Sequence, residues 1–185
     1  MAIAVFGVSG CGKTTLARQL AEQVSGLFLD ADDFHSALSI AKMGGGAALG
    51  DTDRAPWLRA LDAVIRECAD TSVIVCSALA RSYRDVLRDG AVVAFIHLVV
   101  TEELARERLA GRRDHFFPAS LVRSQFEALE PLEPDEAGIS LDGAAPLAEL
   151  LSRARIYLDT HTGHRMADAV SDPGSEPEPA PDPET

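Results

Sequence analysis

Lysine is nearly missing from this chain. Its 185 residues hold only Lys13 and Lys42, against fifteen arginines. Where the ammonium is this scarce, each lysine is a candidate for a position that a guanidinium cannot fill. Cysteine is sparse too. Cys11, Cys68 and Cys76 show neither CxxC nor metal-ligand spacing, and their odd number argues against a disulfide framework. A reducing, cytoplasmic compartment is the natural expectation. No apolar run is long enough to cross a bilayer; the longest, Ala91–Val100, is interrupted by His97. No basic segment precedes an apolar one at the start, so no signal peptide is expected. Excess positive charge is also absent. The net charge is −12, and Asp172, Glu176, Glu178, Asp182 and Glu184 supply five of those charges in a final stretch without a base. Such an acidic body argues against a nucleic-acid partner, and anionic ligands must be met by local clusters of positive charge.

What is present begins at residue 7. Gly-Val-Ser-Gly-Cys-Gly-Lys-Thr follows the apolar run Ala2–Phe6 and precedes a helical pattern with Leu16, Leu20 and Val24 at i, i+4 and i+8. This is G-x-x-x-x-G-K-[ST] in its required context of strand, glycine turn and helix. Glycines let the backbone turn its N–H groups onto an anion, and the positive end of the helix points at the same place. Gly7, Ser9, Gly10, Cys11, Gly12, Lys13, Thr14 and Thr15 are therefore the candidate contacts of a nucleoside triphosphate. Lys13 would reach the β- and γ-phosphates, and the Thr14 hydroxyl would ligate Mg²⁺. Cys11 reads more naturally as a small residue filling the loop than as a redox switch.

Five strand candidates, Ile3–Phe6, Leu27–Asp30, Val73–Cys76, Val92–Val99 and Gly138–Leu141, alternate with helices near 13–24, 55–68, 82–87, 102–109, 118–127 and 147–158. The alternation predicts a five-stranded parallel sheet with helices on both faces, an α/β/α sandwich whose ligands sit at the carboxyl ends of the strands. Residues 44–53 read as a flexible loop. The chain reads as one domain, residues 1–160, followed by an acidic, proline-rich tail, 161–185, that is expected to be disordered, residues 171–185 above all.

Three features point from phosphate binding to phosphoryl transfer. Strand three ends in Ser77-Ala78 without the carboxylate of switch and motor proteins, and no N-K-x-D segment reads guanine. The acids follow strand two instead, as Asp30-Ala31-Asp32-Asp33-Phe34-His35. One of Asp32 and Asp33 would cap a helix; the other would take a proton from an alcohol or orient Mg²⁺. Arg108-Leu109-Ala110-Gly111-Arg112-Arg113 resembles the lid hinge of adenylate kinases, which implies a mobile lid near 110–120 that excludes water. Arg108 and Arg112 would clamp the nucleotide, and Arg112 would act in catalysis.

The middle of the chain resembles the gluconokinase family of small P-loop sugar-acid kinases. The resemblance is carried by Asp32-Asp33-Phe34-His35, Ile40-Ala41-Lys42-Met43, Asp51–Leu58, Cys76–Leu79 with Tyr83-Arg84-Asp85, His115-Phe116 and Ser124–Glu130, in register from about residue 3 to 158. It implies ATP and Mg²⁺ as cofactors and gluconate, phosphorylated on its primary hydroxyl, as the small-molecule acceptor. Another sugar acid, a polyol or a cyclitol is the alternative. It further implies a possible homodimer. Lys13 and Asp32 would be catalytic, and Asp32, His35, Lys42, Arg54, Arg84 and Gln125 would line the acceptor pocket. Arg54 has a rival use as partner of Asp51 or Asp53, Arg84 with Asp85 as an exposed pair, and His35 as a packing residue. Trp57 and His97 read as core residues, and Pro56 suits a first helical turn. The chain departs from the family at Ala80, where lysine is usual, at Ser36, where proline is common, and at Ala48-Leu49-Gly50. Arg81 is the candidate to replace the missing lysine.

Overall fold

The computed structural model describes residues 1–45, 47, 49–68, 70–89, 93–111 and 119–170. Five strands, β1 (Ala2–Phe6), β2 (Leu27–Asp30), β3 (Ser72–Cys76), β4 (Val93–Val99) and β5 (Gly138–Asp142), form one sheet in the order β2-β3-β1-β4-β5. Every pairing is parallel, with Phe6 opposite Cys76 on one side and His97 on the other. Successive side chains of a strand face opposite ways, so Ile3 and Val5 enter one core while Ala2, Ala4 and Phe6 enter the other. Burial on both faces explains why these strands read as unbroken apolar runs rather than alternating ones.

The first core is closed by α1 (Lys13–Gln23), α5 (Glu102–Ala110), α6 (Ala119–Glu127) and α7 (Leu147–Val170), through Leu16, Leu20, Ala105, Val122, Leu151 and Ala154 among others. The second is closed by α3 (Asp51–Glu67) and α4 (Arg81–Arg88), through Trp57, Leu58, Leu61, Ile65 and Leu87. These are the two helical layers expected of a parallel α/β sheet.

Four expectations need correction. A 3₁₀ turn (Ala31–Phe34) and a helix, α2 (Ala37–Gly44), lie outside the six helices expected, although a capping role for Asp32 or Asp33 implies a helix start there. Leu38 and Ile40 of α2 both remain exposed. Ser36, one of the departures from the family, caps α2 by accepting a hydrogen bond from Ser39 N–H. Helix α3 starts at Asp51, so residues 51–53 are not loop and Pro56 lies inside the helix, beyond its first turn. Helix α7 continues to Val170, so the domain boundary drawn at residue 161 falls within a helix. The expected lid residues 112–118, with Arg112, Arg113, His115 and Phe116, and tail residues 171–185 lie outside the described residues.

Candidate active site

The phosphate loop is shaped by its glycines. Gly10 has φ +85°, and a Cβ there would stand 2.5 Å from the Ala105 carbonyl oxygen; Gly7, at φ +141°, would meet Leu98 O at 2.7 Å. Only glycine fits both the dihedral and the close approach. Gly12 precedes α1, whose first turn receives no side-chain cap. The N–H groups at that end are thus left for an anion. Lys13 Nζ donates to Val8 O at 2.9 Å, within its own loop. From the far side, Arg108 Nη1 of α5 donates to Cys11 O at 3.2 Å.

A cavity of about 430 Å³ opens at the carboxyl ends of β1, β2 and β3. Ser9, Gly10, Gly12, Lys13 and Thr14 line it from the loop; Asp30, Asp32 and His35 line it from the end of β2. Arg54 and Trp57 of α3, Tyr83 of α4, Gln125 of α6 and the apolar Ile40, Met43 and Leu49 complete the wall. Of the expected loop contacts, Gly7 and Cys11 are buried behind the cavity, and Thr15 is exposed on α1 outside it. Arg108 touches the loop itself and is not part of the lining.

Asp32 is 75% exposed, and its Oδ1 lies 3.7 Å from His35 Nε2. The helix-capping job expected of Asp32 or Asp33 belongs instead to Asp30, whose Oδ1 accepts from Asp32 N–H at 3.1 Å. Burial raises the Asp30 carboxyl above the ordinary carboxylate range, with the neighbouring Asp32 and Asp33 adding to the rise against the Asp32 N–H. His35 stacks on Trp57, ring centroids 4.8 Å apart and planes 8° from parallel. Burial lowers its pKa; Arg54 adds to the drop and Asp32 opposes it, so the ring is neutral at pH 7. Trp57 therefore serves the core and the site together, its Nε1 donating to Ala31 O at 2.6 Å.

Arg54 does not pair with Asp53. Its Nη1 donates to Tyr83 Oη at 2.9 Å, with the guanidinium 5.2 Å from that ring's centre. It is the one arginine among the described residues lining the cavity. Lys42, expected in the acceptor pocket, is turned away: its Nζ meets Asp53 Oδ2 at 2.5 Å, and Asp53 also accepts from Gly50 N–H at the start of α3.

Arg84 overturns its assignment. It is fully buried, neither an acceptor contact nor an exposed partner of Asp85. Its Nε and Nη2 grip Glu136 at 2.6 and 2.9 Å, and its remaining protons go to the carbonyls of Ala78, Leu79, Glu130 and Pro131. Burial raises the Glu136 carboxyl, but the hydrogen bonds from Arg84 and Glu133 N–H outweigh it and leave its pKa below the ordinary value. Arg81 does not replace the family's lysine either, because its guanidinium is bound to Asp135 at 2.7 and 2.5 Å. Cys76 lines the cavity, yet burial pushes its thiol up to about 12, which keeps it protonated.

The sequence reading missed Glu136 as the partner of Arg84, because a residue 52 positions from its arginine leaves no local signal.

Comparison with known proteins gives the family and the fold. A model of the AAA domain family matches residues 3–132. Thermosensitive gluconokinase of Escherichia coli K12 is 42% identical over 139 residues, covering 73% of this chain and 74% of that protein. A sugar kinase from Janibacter sp. HTCC2649, solved without ligand, superposes with a TM-score of 0.82 at 46% identity, over 85% of this chain and 94% of the other. A gluconokinase from Sinorhizobium meliloti 1021 superposes with a TM-score of 0.79 at 37% identity, over 91% and 94%. With a shared fold, these identities and these coverages, the chain belongs to the gluconokinase family.

Proposed function

We propose that the protein transfers the γ-phosphoryl group of ATP to the primary hydroxyl of gluconate, giving 6-phosphogluconate and ADP. The observation that carries this reading is the single cavity in which Lys13 and Thr14 of the phosphate loop face Asp32, His35 and Arg54. The phosphate-loop side of the cavity suits a triphosphate's anionic oxygens, and the Asp32, His35 and Arg54 side suits the hydroxyls and carboxylate of a polyhydroxy acid.

The uncapped first turn of α1 and Lys13 suit the β- and γ-phosphates. The Thr14 hydroxyl and the Asp30 carboxylate, both on the cavity, are the oxygen donors that would hold Mg²⁺. Few protein ligands are needed, since Mg²⁺ keeps waters and takes phosphate oxygens. Bound there, it would neutralise charge on the transferring group. Arg54, oriented by Tyr83, offers the acceptor carboxylate a charge-assisted fork, and the neutral His35 suits a hydroxyl. Asp32 sits where it can accept the hydroxyl proton as that oxygen bonds to the γ-phosphorus and the β–γ bridging bond breaks. Among the described residues no helix is long and apolar enough to cross a membrane, and Cys11, Cys68 and Cys76 are free thiols, which favours the cytoplasm.

Coupled ADP release over a panel of sugar acids, polyols and cyclitols tests the reading. Turnover on gluconate of roughly 1–100 per second is expected. Turnover confined to a cyclitol would reassign the acceptor, and ATP binding without turnover on any acceptor would refute the kinase.

A further inference from the structure

Among the contacts of the phosphate loop, one crosses 116 residues: Ser9 N–H donates to Gln125 Oε1 at 2.6 Å. A backbone N–H can only donate, so the atom this carboxamide turns to the loop is its oxygen, through one of its two lone pairs. The other end of the carboxamide is Nε2, a pure donor, and the residue lines the same cavity as Asp32 and Arg54. Helix α6 thus holds the loop at Ser9 while α5 holds it at Cys11 through Arg108. Lys13 meanwhile is folded back on Val8 O. The loop is therefore set by side chains that belong to the acceptor wall and to the helix behind it.

We propose that Gln125 is a positioning residue that couples the two substrates. Its Oε1 fixes the Ser9 end of the phosphate loop, and its Nε2 donates to an oxygen of the bound acceptor. An acceptor that engages Nε2 pins the carboxamide, and with it the loop that receives the triphosphate. Each substrate then binds more tightly in the presence of the other, by the same factor in both directions. This rests on the gluconate reading above.

Calorimetric titration of a non-hydrolysable ATP analogue, with and without saturating gluconate, measures the coupling factor directly. In the unaltered protein gluconate is expected to tighten the analogue by roughly 5-fold or more. Gln125→Glu keeps an oxygen for Ser9 N–H and removes the donor; Gln125→Leu removes both. Each variant, checked for an unchanged melting temperature, is expected to bring the factor to unity, and a purely packing role for Gln125 would not do so. A variant factor equal to that of the unaltered protein overturns the proposal, as does a factor of one in the unaltered protein while gluconate binds and turns over. If gluconate neither binds nor turns over, the functional reading has failed and this inference falls with it.

Discussion

Lys13 and Arg84 are both cations near the phosphate loop, and their surroundings give them opposite roles. Lys13 lines the cavity and holds only a carbonyl of its own loop, so it is available to a phosphate. Replacing it by alanine should lower kcat by about 10²–10³-fold or more on every acceptor, the scale of losing one transition-state donor. A steady-state assay beside an unchanged thermal melt would check this. Arg84 is spent entirely on the fold. Arg84→Met leaves Glu136 buried without its cation, which should cost about 3–5 kcal/mol of stability. The acceptor KM of the surviving folded fraction should stay near that of the unaltered protein, and a large rise would return Arg84 to the pocket. Arg84 looked like a substrate residue because a family block singles it out. That block is equally well explained by a guanidinium that ties the Ala78–Leu79 turn to residues 130–136, and nothing local in sequence distinguishes the two uses.

At the scale of the element, legibility followed locality. The β1–loop–α1 unit was readable because strand, glycines and helix are consecutive and each is dictated by short-range chemistry. Helix α2 was not, since its buried residue, Ser39, is polar while Leu38 and Ile40 stay exposed, the reverse of the pattern that marks a core-facing helix. The start of α3 was missed because Pro56 looks like a beginning, whereas Asp53 sets the true one through Gly50 N–H. Helix α5 offers a clean test of how an element serves the site. Thr101 Oγ1 accepts from Leu104 N–H at 3.2 Å and caps the helix that carries Arg108 to the loop. Thr101→Ala should cost about 1 kcal/mol, seen as a fall in Tm of about 2–4 °C. Gly10→Ala should be far worse for nucleotide affinity than for folding, because its Cβ would press the loop away from Ala105. Comparable analogue affinities for Gly10→Ala and the unaltered protein, by calorimetry, would contradict the account of the cradle.

For the whole molecule, the buried imidazole of His97 sets a pH dependence. It stacks on Phe6 at 4.5 Å, and Ser140 Oγ lies 3.4 Å from its Nδ1. Burial, reinforced by Arg84, lowers its pKa to about 4. The unfolded chain takes up that proton near pH 6.5, so the contribution is complete above 6.5 and is lost as pH falls toward 4. The loss is roughly 1.4 kcal/mol per pH unit, and His35, shifted the same way, adds to it. Urea denaturation midpoints should therefore fall steeply between pH 6.5 and 4, and His97→Phe should flatten that slope; equal slopes would assign the acid sensitivity elsewhere. The parallel five-stranded sheet and its two helical layers were legible in the alternation of strands and helices. The order of the strands was not, because no periodicity records which strand lies beside which.

That order has a consequence for biosynthesis. β1 lies between β3 and β4 and touches neither β2 nor β5. The first of the five strands in chain order is thus the sheet's spine, yet its nearer neighbour begins only at Ser72. At translation rates of about 5–20 residues per second, five consecutive apolar residues must wait for several seconds beside the ribosome, shielded by α1 and then α3 at most, before a strand arrives to receive them.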